Sequence, residues 1–184
     1  MNLVITGNPG VGKHTTAEVF MKGDSEYEMI DINKFAIQNG FTEKNKDGFE
    51  VDTTRLKDAI QGFLSERTLI IGHLAPYILD ESDIDFAIVL RKNPYKLIEI
   101  YKERKYHESK IKQNAGSEIL GIIANDSITS FGKNKTFEID TTEKTPDQVV
   151  LVINKIMKNQ KGGDIVDWLT LVEEKNEFDR FFDY

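Results

Sequence analysis

The chain has 184 residues, a formal net charge of −7, 39% hydrophobic residues and no cysteine. This length and composition favour one folded domain, the lack of cysteine excludes disulfides and thiol chemistry, and the acidic balance opposes non-specific binding to nucleic acid. The sequence has no apolar run as long as a membrane span, and residues 1–20 do not resemble a signal peptide, so we expect a cytoplasmic protein that binds no membrane and no specific nucleic-acid sequence.

The first predicted strand, Leu3–Thr6, runs directly into a glycine-rich loop with the sequence GNPGVGKH at residues 7–14. A helix is predicted to begin at Lys13. A strand, a glycine turn and a helix in this order form a phosphate-binding loop, where backbone N–H groups at a helix N-terminus converge on the phosphates of a nucleotide. Lys13 is expected to be a catalytic surface charge that reaches the β- and γ-phosphates. The nucleotide-binding residues of this segment are predicted to be Gly7, Pro9, Gly10, Val11, Gly12, Lys13, His14 and Thr15.

The residue after Lys13 departs from the usual phosphate loop, which has Ser or Thr there to contact Mg²⁺. This chain has His14, and imidazole suits Mg²⁺ poorly because that ion prefers oxygen ligands in octahedral geometry. Thr15 is the nearest hydroxyl, although one residue along a helix turns a side chain by about 100°. Asp31, at the end of the second predicted strand, is the other candidate. We therefore predict Thr15 and Asp31 as metal ligands, with Mg²⁺ bound together with ATP.

Four further short apolar runs predict strands at residues 29–32, 68–71, 86–90 and 137–139, and helical segments separate them. Strands that alternate with helices predict a parallel sheet covered by helices on both faces, and mostly apolar strands are typical of such a sheet. The predicted fold class is therefore α/β, with a P-loop NTPase fold built on a five-stranded parallel sheet.

Capping patterns mark several helices. Asn93-Pro94 and Thr145-Pro146 each place a capping residue before a proline, and they predict helices from residue 94 and from residue 146 to about residue 159. Asp52 starts another predicted helix that runs to about residue 65. A single long helix is predicted over residues 109–127, where apolar residues recur at close to helical spacing.

The glycines at residues 162–163 are the best candidate break in the chain. We predict a P-loop kinase core at residues 1–160 and a C-terminal extension at residues 161–184. The extension contains Trp168 and an acidic, aromatic end that includes Phe181 and Tyr184. It forms either a terminal helix that packs on the domain or a segment that docks a partner. We favour packing for Trp168 and leave the last seven residues open.

In an open parallel sheet, ligands bind beyond the carboxyl ends of the strands. Polar residues follow the predicted strands there and are expected to surround one cleft. His73 follows the third strand and is predicted to be catalytic, although a lone histidine is more often structural. Arg91 follows the fourth strand, and it either contacts phosphate or forms a salt bridge at the strand end. The other nucleotide-binding candidates are Asn33, after the second strand, and Asp140 and Thr141, which could also form an ordinary strand-to-helix turn.

Several segments occur together in an order that is more specific than the phosphate loop alone. They are the loop itself, Gly72-His73-Leu74-Ala75, Val89-Leu90-Arg91, Arg104 and Tyr106 with Lys110 and Asn114, Glu118-Ile119-Leu120, and Glu138-Ile139-Asp140-Thr141-Thr142. Together they resemble the adenylate-kinase-like ATPases of archaea and eukaryotes, whose human member is the coilin-interacting nuclear ATPase. The resemblance covers residues 1 to about 170. Lys13-His14-Thr15 also fits the loop of many adenylate kinases, which place Thr two residues after the lysine.

The resemblance implies a nucleotide-monophosphate arm at about residues 33–65 and a short lid at about residues 104–114. It implies phosphoryl transfer from ATP to AMP, accessory ATP hydrolysis, and a role in small ribosomal subunit maturation beside a platform ribosomal protein. Arg104 in the lid would then bind nucleotide and act as a catalytic cation, with help from Lys110, and Asn33 would face the arm. On charge requirements alone, Arg104 could instead belong to a solvated basic helix face.

One position departs from this family. Ile71 stands where the family has an acid two residues before His73, so the expected acidic contact to the Mg²⁺ shell is missing. This departure favours an alternative function, an ATP-switched ribosome assembly factor with little kinase turnover. A small-metabolite kinase of the shikimate kinase type is a third reading. It is weakened because Asp31 and Asn33 follow the second strand, where those enzymes have two aspartates.

Overall fold

The computed structural model describes residues 1–45 and 48–182. Within this part of the chain, the strands are β1 (Leu3–Thr6), β2 (Glu28–Asp31), β3 (Thr42–Asn45), β4 (Gly48–Val51), β5 (Thr68–Ile71), β6 (Phe86–Arg91) and β7 (Thr136–Asp140). Five of them form a parallel sheet in the order β2-β5-β1-β6-β7, and β3 pairs with β4 in a separate antiparallel hairpin. The predicted α/β fold with a five-stranded parallel sheet is confirmed.

The helices of the described residues are α1 (Lys13–Gly23), α2 (Ile32–Gln38), α3 (Thr53–Ile60), α4 (Ala75–Ile78), α5 (Pro94–Glu103), α6 (Glu108–Ile119), α7 (Ile122–Phe131), α8 (Pro146–Asn159) and α9 (Trp168–Glu174). One apolar layer contains residues of α1, α5, α6 and α8, and the other contains residues of α2, α3, α4 and α7. The prediction of helices on both faces is therefore confirmed. In the described part of the chain, no helix combines the length and the apolar character needed to cross a membrane.

The central strand β1 explains where the phosphate loop emerges. Its side chains alternate between the layers, with Leu3 and Ile5 in one core and Val4 in the other, and all three are fully buried. This strand pairs with β5 on one side and with β6 on the other. The loop after β1 therefore opens at the middle of the carboxyl edge of the sheet, which is where ligands bind in folds of this type.

The second strand ends one residue earlier than predicted. We expected residues 29–32, but the strand is Glu28–Asp31 and Ile32 already belongs to α2. The cause is a cap, because Asp31 Oδ1 accepts hydrogen bonds from the backbone N–H groups of Asn33 at 3.0 Å and Lys34 at 3.2 Å. A carboxylate that satisfies these two donors starts the helix at the next residue.

The single helix predicted over residues 109–127 is wrong, since two helices, α6 and α7, occupy this region. The chain breaks at Gly121, whose φ of +63° lies in the left-handed region that favours glycine. The break redirects the chain, so that α6 packs on α5 while α7 packs on α4 and β6. Gly121 also faces the Arg91 guanidinium, which lies 3.6 Å from where a Cβ would stand.

Other helix boundaries agree more closely with the sequence. Helix α8 ends at the predicted residue, whereas α3 ends at Ile60 and is followed by a short 3-10 turn to residue 63.

The C-terminal segment packs on the core through Trp168, Phe178 and Phe182, and Phe181 is only 1% exposed. Tyr184, one of the last seven residues, lies outside the described residues. The β3–β4 hairpin was not predicted.

Candidate active site

The phosphate loop passes very close to β6. Gly7 takes a φ of +131°, and a Cβ on this residue would lie 2.3 Å from the Leu90 carbonyl oxygen. No side chain fits there, so the loop can take this path only with glycine. The loop then reaches Gly12, which directly precedes the first helical residue, Lys13. It therefore surrounds the N-terminus of α1, where free backbone N–H groups and the helix dipole favour an anion.

Two hydroxyl groups hold the loop from outside. Tyr101 on α5 donates a hydrogen bond of 2.6 Å to the Pro9 carbonyl oxygen. Thr141, only 5% exposed, places Oγ1 at 2.9 Å from the carbonyl oxygens of both Val11 and Arg91. The structure thus puts Thr141 beneath the loop rather than in a ligand cavity, and Val11 is buried with it. Their contribution to nucleotide binding would be to support the loop backbone.

Lys13 is a buried charge, not the surface charge that we expected, since it is only 8% exposed. Its Nζ donates hydrogen bonds to the carbonyl oxygens of Gly7 at 2.8 Å and Asn8 at 2.9 Å. Burial lowers the pKa of Lys13 from 10.5 to about 8, with Glu118 raising it and Arg104 lowering it further. These two hydrogen-bond acceptors are neutral carbonyl oxygens, and a phosphate group at the loop would add a direct negative charge that stabilises the protonated lysine.

One cavity of about 740 Å³ brings most of the predicted site together. It joins the phosphate loop, the region after α5, the start of α2 and the end of β5. The predicted site residues that line it are Pro9, Gly10, Gly12, Lys13, His14, Thr15, Asn33, His73 and Arg104. Its other lining residues include Asn8, Tyr77, Tyr106, Lys110, Gln113, Asn114 and Ser117. Positive charge from the loop and from the predicted lid therefore faces one space.

The predicted lid consists of a short turn and the first half of α6. Arg104 is exposed directly after α5. The Tyr106 ring stacks on Tyr101, with centroids 5.5 Å apart and planes 9° apart, and Lys110 Nζ lies 4.9 Å from the Tyr106 ring centroid. Lys110 therefore contacts Tyr106, which in turn stacks on Tyr101, the residue that bonds to the phosphate loop. Both Arg104 and Lys110 line the same cavity as Lys13.

His73 lies between two cavities. A second cavity, of about 340 Å³, opens under the hairpin region and is lined by Asn33, Ile37, Thr42, Val51, His73 and Leu74. Asn33 and His73 line both spaces. Burial, together with the Lys13 charge, lowers the pKa of His73 from 6.5 to about 4. The ring is therefore neutral at neutral pH and offers one donor and one acceptor nitrogen to a bound group.

The structure turns Arg91 away from the cavity. Its side chain is 4% exposed, and Nε donates to Glu118 Oε1 at 2.8 Å while Nη1 pairs with Glu138. Nη2 donates to the Glu118 carbonyl oxygen at 2.7 Å. These contacts form a strand-end salt bridge, which is the alternative to a phosphate contact at this residue. A phosphate could reach Arg91 only if these buried pairs were broken, which is costly.

Asp140 also lies outside the cavity lining. Its Oδ1 accepts hydrogen bonds from the Thr142 backbone N–H at 2.9 Å and from the Thr142 hydroxyl at 2.5 Å. Its own backbone N–H donates to Asp164 in the C-terminal segment. These contacts form the strand-to-helix turn that was the alternative reading of this residue. Neither Asp140 nor Thr141 lines the cavity, although Thr141 supports the phosphate loop from beneath.

The two predicted metal ligands are in different surroundings. Thr15 is exposed at the cavity, but Asp31 is 8% exposed and uses Oδ1 to cap α2. Asp31 Oδ2 lies 2.8 Å from His14 Nε2. The unusual residue of the phosphate loop thus pairs with the candidate ligand. A metal at Asp31 would have to share this oxygen with the His14 ring.

The described residues contain no cluster of three or more His, Cys, Asp or Glu side chains that could hold a metal. Ile71, where an acid was expected, is 1% exposed and belongs to the apolar core. This donor set suits a Mg²⁺ ion held mainly by nucleotide phosphates and water, because Mg²⁺ often takes only one or two protein oxygens.

Sequence reasoning missed three polar residues of the site. Asn8 and Glu118 are buried and joined by a hydrogen bond of 2.7 Å. Asn114 lines the cavity, and its Nδ2 is buried without a hydrogen-bond partner in the described part of the chain. Such a donor suits a phosphate oxygen, because an unpaired buried amide is costly. Glu118 and Asn114 were visible only as members of the family pattern, and Asn8 carried no signal of its own.

A glycine-rich loop at the centre of a parallel sheet and a cavity lined by this loop and by cations of α6 and the turn before it define a P-loop protein of the kinase type. A family model described as an AAA domain matches residues 3–121. The chain is 32% identical to the "Putative adenylate kinase" of Thermococcus kodakarensis over 177 residues, which covers 95% of this chain and 96% of that protein. It is 33% identical to the protein of the same name from Methanococcus maripaludis, over 92% of this chain and 96% of the relative. The chain belongs to the family of these relatives, which are P-loop proteins.

Solved structures show the same fold at low sequence identity. The YorR protein of Bacillus subtilis, in complex with phosphorylated GDP, has a TM-score of 0.62 and 14% identity, over 86% of this chain and 96% of that chain. Shikimate kinase from Bacteroides thetaiotaomicron has a TM-score of 0.57 and 16% identity, over 86% and 98% of the two chains. These likenesses establish the kinase type of P-loop fold.

Proposed function

We propose that this protein transfers the γ-phosphoryl group of ATP to AMP, as an adenylate kinase does, with accessory hydrolysis of ATP. The observation that carries the proposal is the pair of cavities that meet at Asn33 and His73. One contains the phosphate loop and the lid cations. The other lies under the arm. A reaction between two nucleotides needs a cavity for each, and the two cavities must meet where the phosphoryl group is transferred.

The donor chamber supplies positive charge, which is most of what phosphoryl transfer requires from a protein. Lys13 on α1, Arg104 directly after α5 and Lys110 on α6 all line it. Lys13 would hold the β- and γ-phosphates, and Arg104 would approach when the lid closes over both nucleotides. Asn114 Nδ2 would donate to a phosphate oxygen. The buried state of Lys13 strengthens its interaction with phosphate, because the effective dielectric constant is low there.

The acceptor chamber is mostly apolar, with polar groups where it meets the donor chamber. Asn33 and His73 would contact the phosphate of the monophosphate, and the apolar side chains of the arm would hold its base. Because His73 is neutral, it can bind a phosphate oxygen through an N–H without adding a charge that would have to be desolvated. The choice of AMP as acceptor rests on the family resemblance.

Magnesium would accompany ATP and neutralise charge on the β- and γ-phosphates. Thr15 is the nearest hydroxyl on the loop, and Asp31 could contact the ion through Oδ2 or through a water. His14 orients Asp31 in either case. The proposal therefore places most ligands of the ion on the nucleotide and on water, with few on the protein.

Further parts of the proposal follow the family. We assign residues 1–160 to the kinase core, with the arm at 33–65, the lid at 104–114 and an extension at 161–184. We also propose a cytoplasmic location and a role in small ribosomal subunit maturation, beside a platform ribosomal protein. The alternative is an ATP-switched assembly factor with little turnover. It is favoured by the buried Ile71, which leaves the site without the acid that the family uses near Mg²⁺.

The test is a coupled assay of ADP formation from ATP with AMP, CMP, UMP or shikimate as acceptor. Adenylate kinase function predicts that AMP is the best acceptor and that Lys13→Ala removes the activity. Equal or faster turnover with CMP or UMP would contradict the choice of AMP. Negligible ADP formation, together with ATP-dependent capture of a purified platform ribosomal protein, would instead support the switch. Transfer to shikimate alone would reject both proposals.

A further inference from the structure

A buried carboxylate connects the lid helix to the phosphate loop. Glu118, in the last turn of α6, has a fully buried side chain. Its Oε1 accepts hydrogen bonds from Arg91 Nε at 2.8 Å, the Lys92 backbone N–H at 3.0 Å and Trp168 Nε1 at 3.1 Å. Its Oε2 accepts one from Asn8 Nδ2 at 2.7 Å. A buried carboxylate with this many donors has one favoured orientation.

Asn8 contacts both Glu118 and Lys13, so the position of Glu118 affects the position of the lysine. Both polar atoms of its side-chain amide bind residues of α6. Ser117 Oγ donates a hydrogen bond to Asn8 Oδ1 at 3.1 Å, and Glu118 accepts one from Asn8 Nδ2. The backbone oxygen of the same residue accepts the hydrogen bond from Lys13 Nζ, at 2.9 Å. Asn8 is 5% exposed, so this chain of contacts is shielded from solvent.

The same helix carries the lid. Lys110, Gln113 and Asn114 line the donor cavity from α6, and Lys110 lies about 12 Å along the helix axis from Glu118, at 1.5 Å per residue. One end of α6 therefore brings a cation to the cavity, and the other end is fastened to the loop that holds Lys13. A rigid helix fastened in this way sets the distance between the two groups of cations.

We propose that Glu118 is a positioning residue that fixes the phosphate loop to the lid helix through Asn8, so that Lys13 and the lid cations meet the transferred phosphoryl group in one relative position. The inference rests on the proposed phosphoryl transfer. Glu118 acts through Asn8 and does not line the cavity. A purely structural role would be to neutralise Arg91, and that role is shared with Glu138, which also pairs with Arg91 and is 22% exposed.

The two acids of Arg91 provide a matched pair of variants. Glu118→Gln and Glu138→Gln are the same chemical change, and each removes one charge from Arg91, but only Glu118 contacts Asn8. We expect Glu118→Gln to lower kcat about 10- to 100-fold, with a smaller change in the KM for ATP, because small misplacements of catalytic groups act mainly on the transfer step. Glu138→Gln should keep kcat close to that of the wild type.

Asn8→Ala removes the contact between Asn8 and Glu118 while the Glu118–Arg91 pair stays in place. It therefore tests whether this contact positions Lys13 even if Glu118→Gln does not fold. It should reproduce the loss of kcat. The double variant Asn8→Ala/Glu118→Gln should be no slower than the slower single variant, because both changes break one connection. Equal losses of kcat in Glu118→Gln and Glu138→Gln, or a normal kcat in folded Asn8→Ala, would overturn the proposal.

Binding measurements separate this proposal from the proposed function. If the wild type forms no ADP from ATP and AMP, the proposed kinase function is wrong. The connection between α6 and the loop is then tested by measuring ATP affinity calorimetrically for Asn8→Ala, Ser117→Ala and the double variant. All three variants keep the Glu118–Arg91 pair. Non-additive effects on ATP affinity are expected, since both side chains hold one amide. Additive effects would reject a connection between α6 and the loop.

Discussion

The lowered pKa of His73 predicts a loss of stability in mild acid. Burial and the Lys13 charge lower this pKa from 6.5 to about 4, so the unfolded chain binds a proton at pH values where the folded protein keeps the ring neutral. The free energy of unfolding therefore decreases as the pH falls from 6.5 to about 4, and the ring has no further effect above or below that window. With these two pKa values, the loss at about pH 4.5 relative to neutral pH is about 2.5 kcal/mol.

Urea unfolding of the wild type and of His73→Gln, near neutral pH and at about pH 4.5, measures this contribution. The glutamine keeps a neutral polar side chain in place of the ring. Carboxylates lower the stability of both proteins in acid, so the difference between the two losses isolates His73. His107→Gln is the matched control, because His107 is exposed at the start of α6. Equal losses in wild type and His73→Gln would show that the folded ring titrates normally, and the assignment of a neutral His73 to the site would then be wrong.

Three substitutions test the groups that surround the phosphates. Lys13→Ala should lower transfer by about two to three orders of magnitude without unfolding the protein, because it removes a buried charge; normal turnover of a folded variant in the coupled assay would reject the site. Arg104→Ala should lower kcat more than it raises the KM for ATP, since a lid cation acts on charge that develops during transfer; a change in KM alone would make Arg104 a ground-state contact. Ile71→Asp should tighten the Mg²⁺ dependence and raise turnover, although a carboxylate at this core position should also lower the melting temperature. Unchanged Mg²⁺ dependence in a folded Ile71→Asp variant would show that the metal is already served from elsewhere, with Asp31 the first candidate.

The phosphate loop and the five central strands could be predicted because their signals are local. Leu3–Thr6 is a short apolar run directly before the glycines, and the structure has the strand at the same residues. The proline-marked helix from residue 146 also ends where the pattern ended. Each of these features depends on neighbours within a few residues, so the sequence carries them without knowledge of the fold.

The single helix predicted over residues 109–127 is wrong because the apolar periodicity was given more weight than the glycine at residue 121. Apolar spacing continues across Gly121, and periodicity alone does not detect a break that leaves the spacing nearly intact. A glycine inside a helical pattern is itself evidence for an end, because it tolerates the left-handed conformation observed here. The break separates α6 from α7, and both helices contribute residues to the lining of the cavity, so it matters for the site.

The contacts of Arg91 and Asn8 could not be predicted by local reasoning. The position of Arg91 at the carboxyl end of a strand was correct, but its direction depends on Glu118, which lies 27 residues away in sequence. Asn8 and Glu118 are separated by 110 residues. Which way a polar side chain turns at a sheet edge is decided by such distant partners, and these become known only with the three-dimensional arrangement.

The partners of β1 also bear on when the protein can first bind a nucleotide during synthesis. The ribosome makes β1 and the phosphate loop before the segments that contact them, because β1 pairs with β5 and β6, and Asn8 is held by Glu118, whose carboxylate in turn accepts a hydrogen bond from Trp168. Non-local pairing of this kind cannot form until the later segments have emerged. The nascent chain therefore carries a phosphate loop without its supports until the segment that contains Trp168 has been translated, and nucleotide can stabilise a chain that includes this segment but not fragments that end before it.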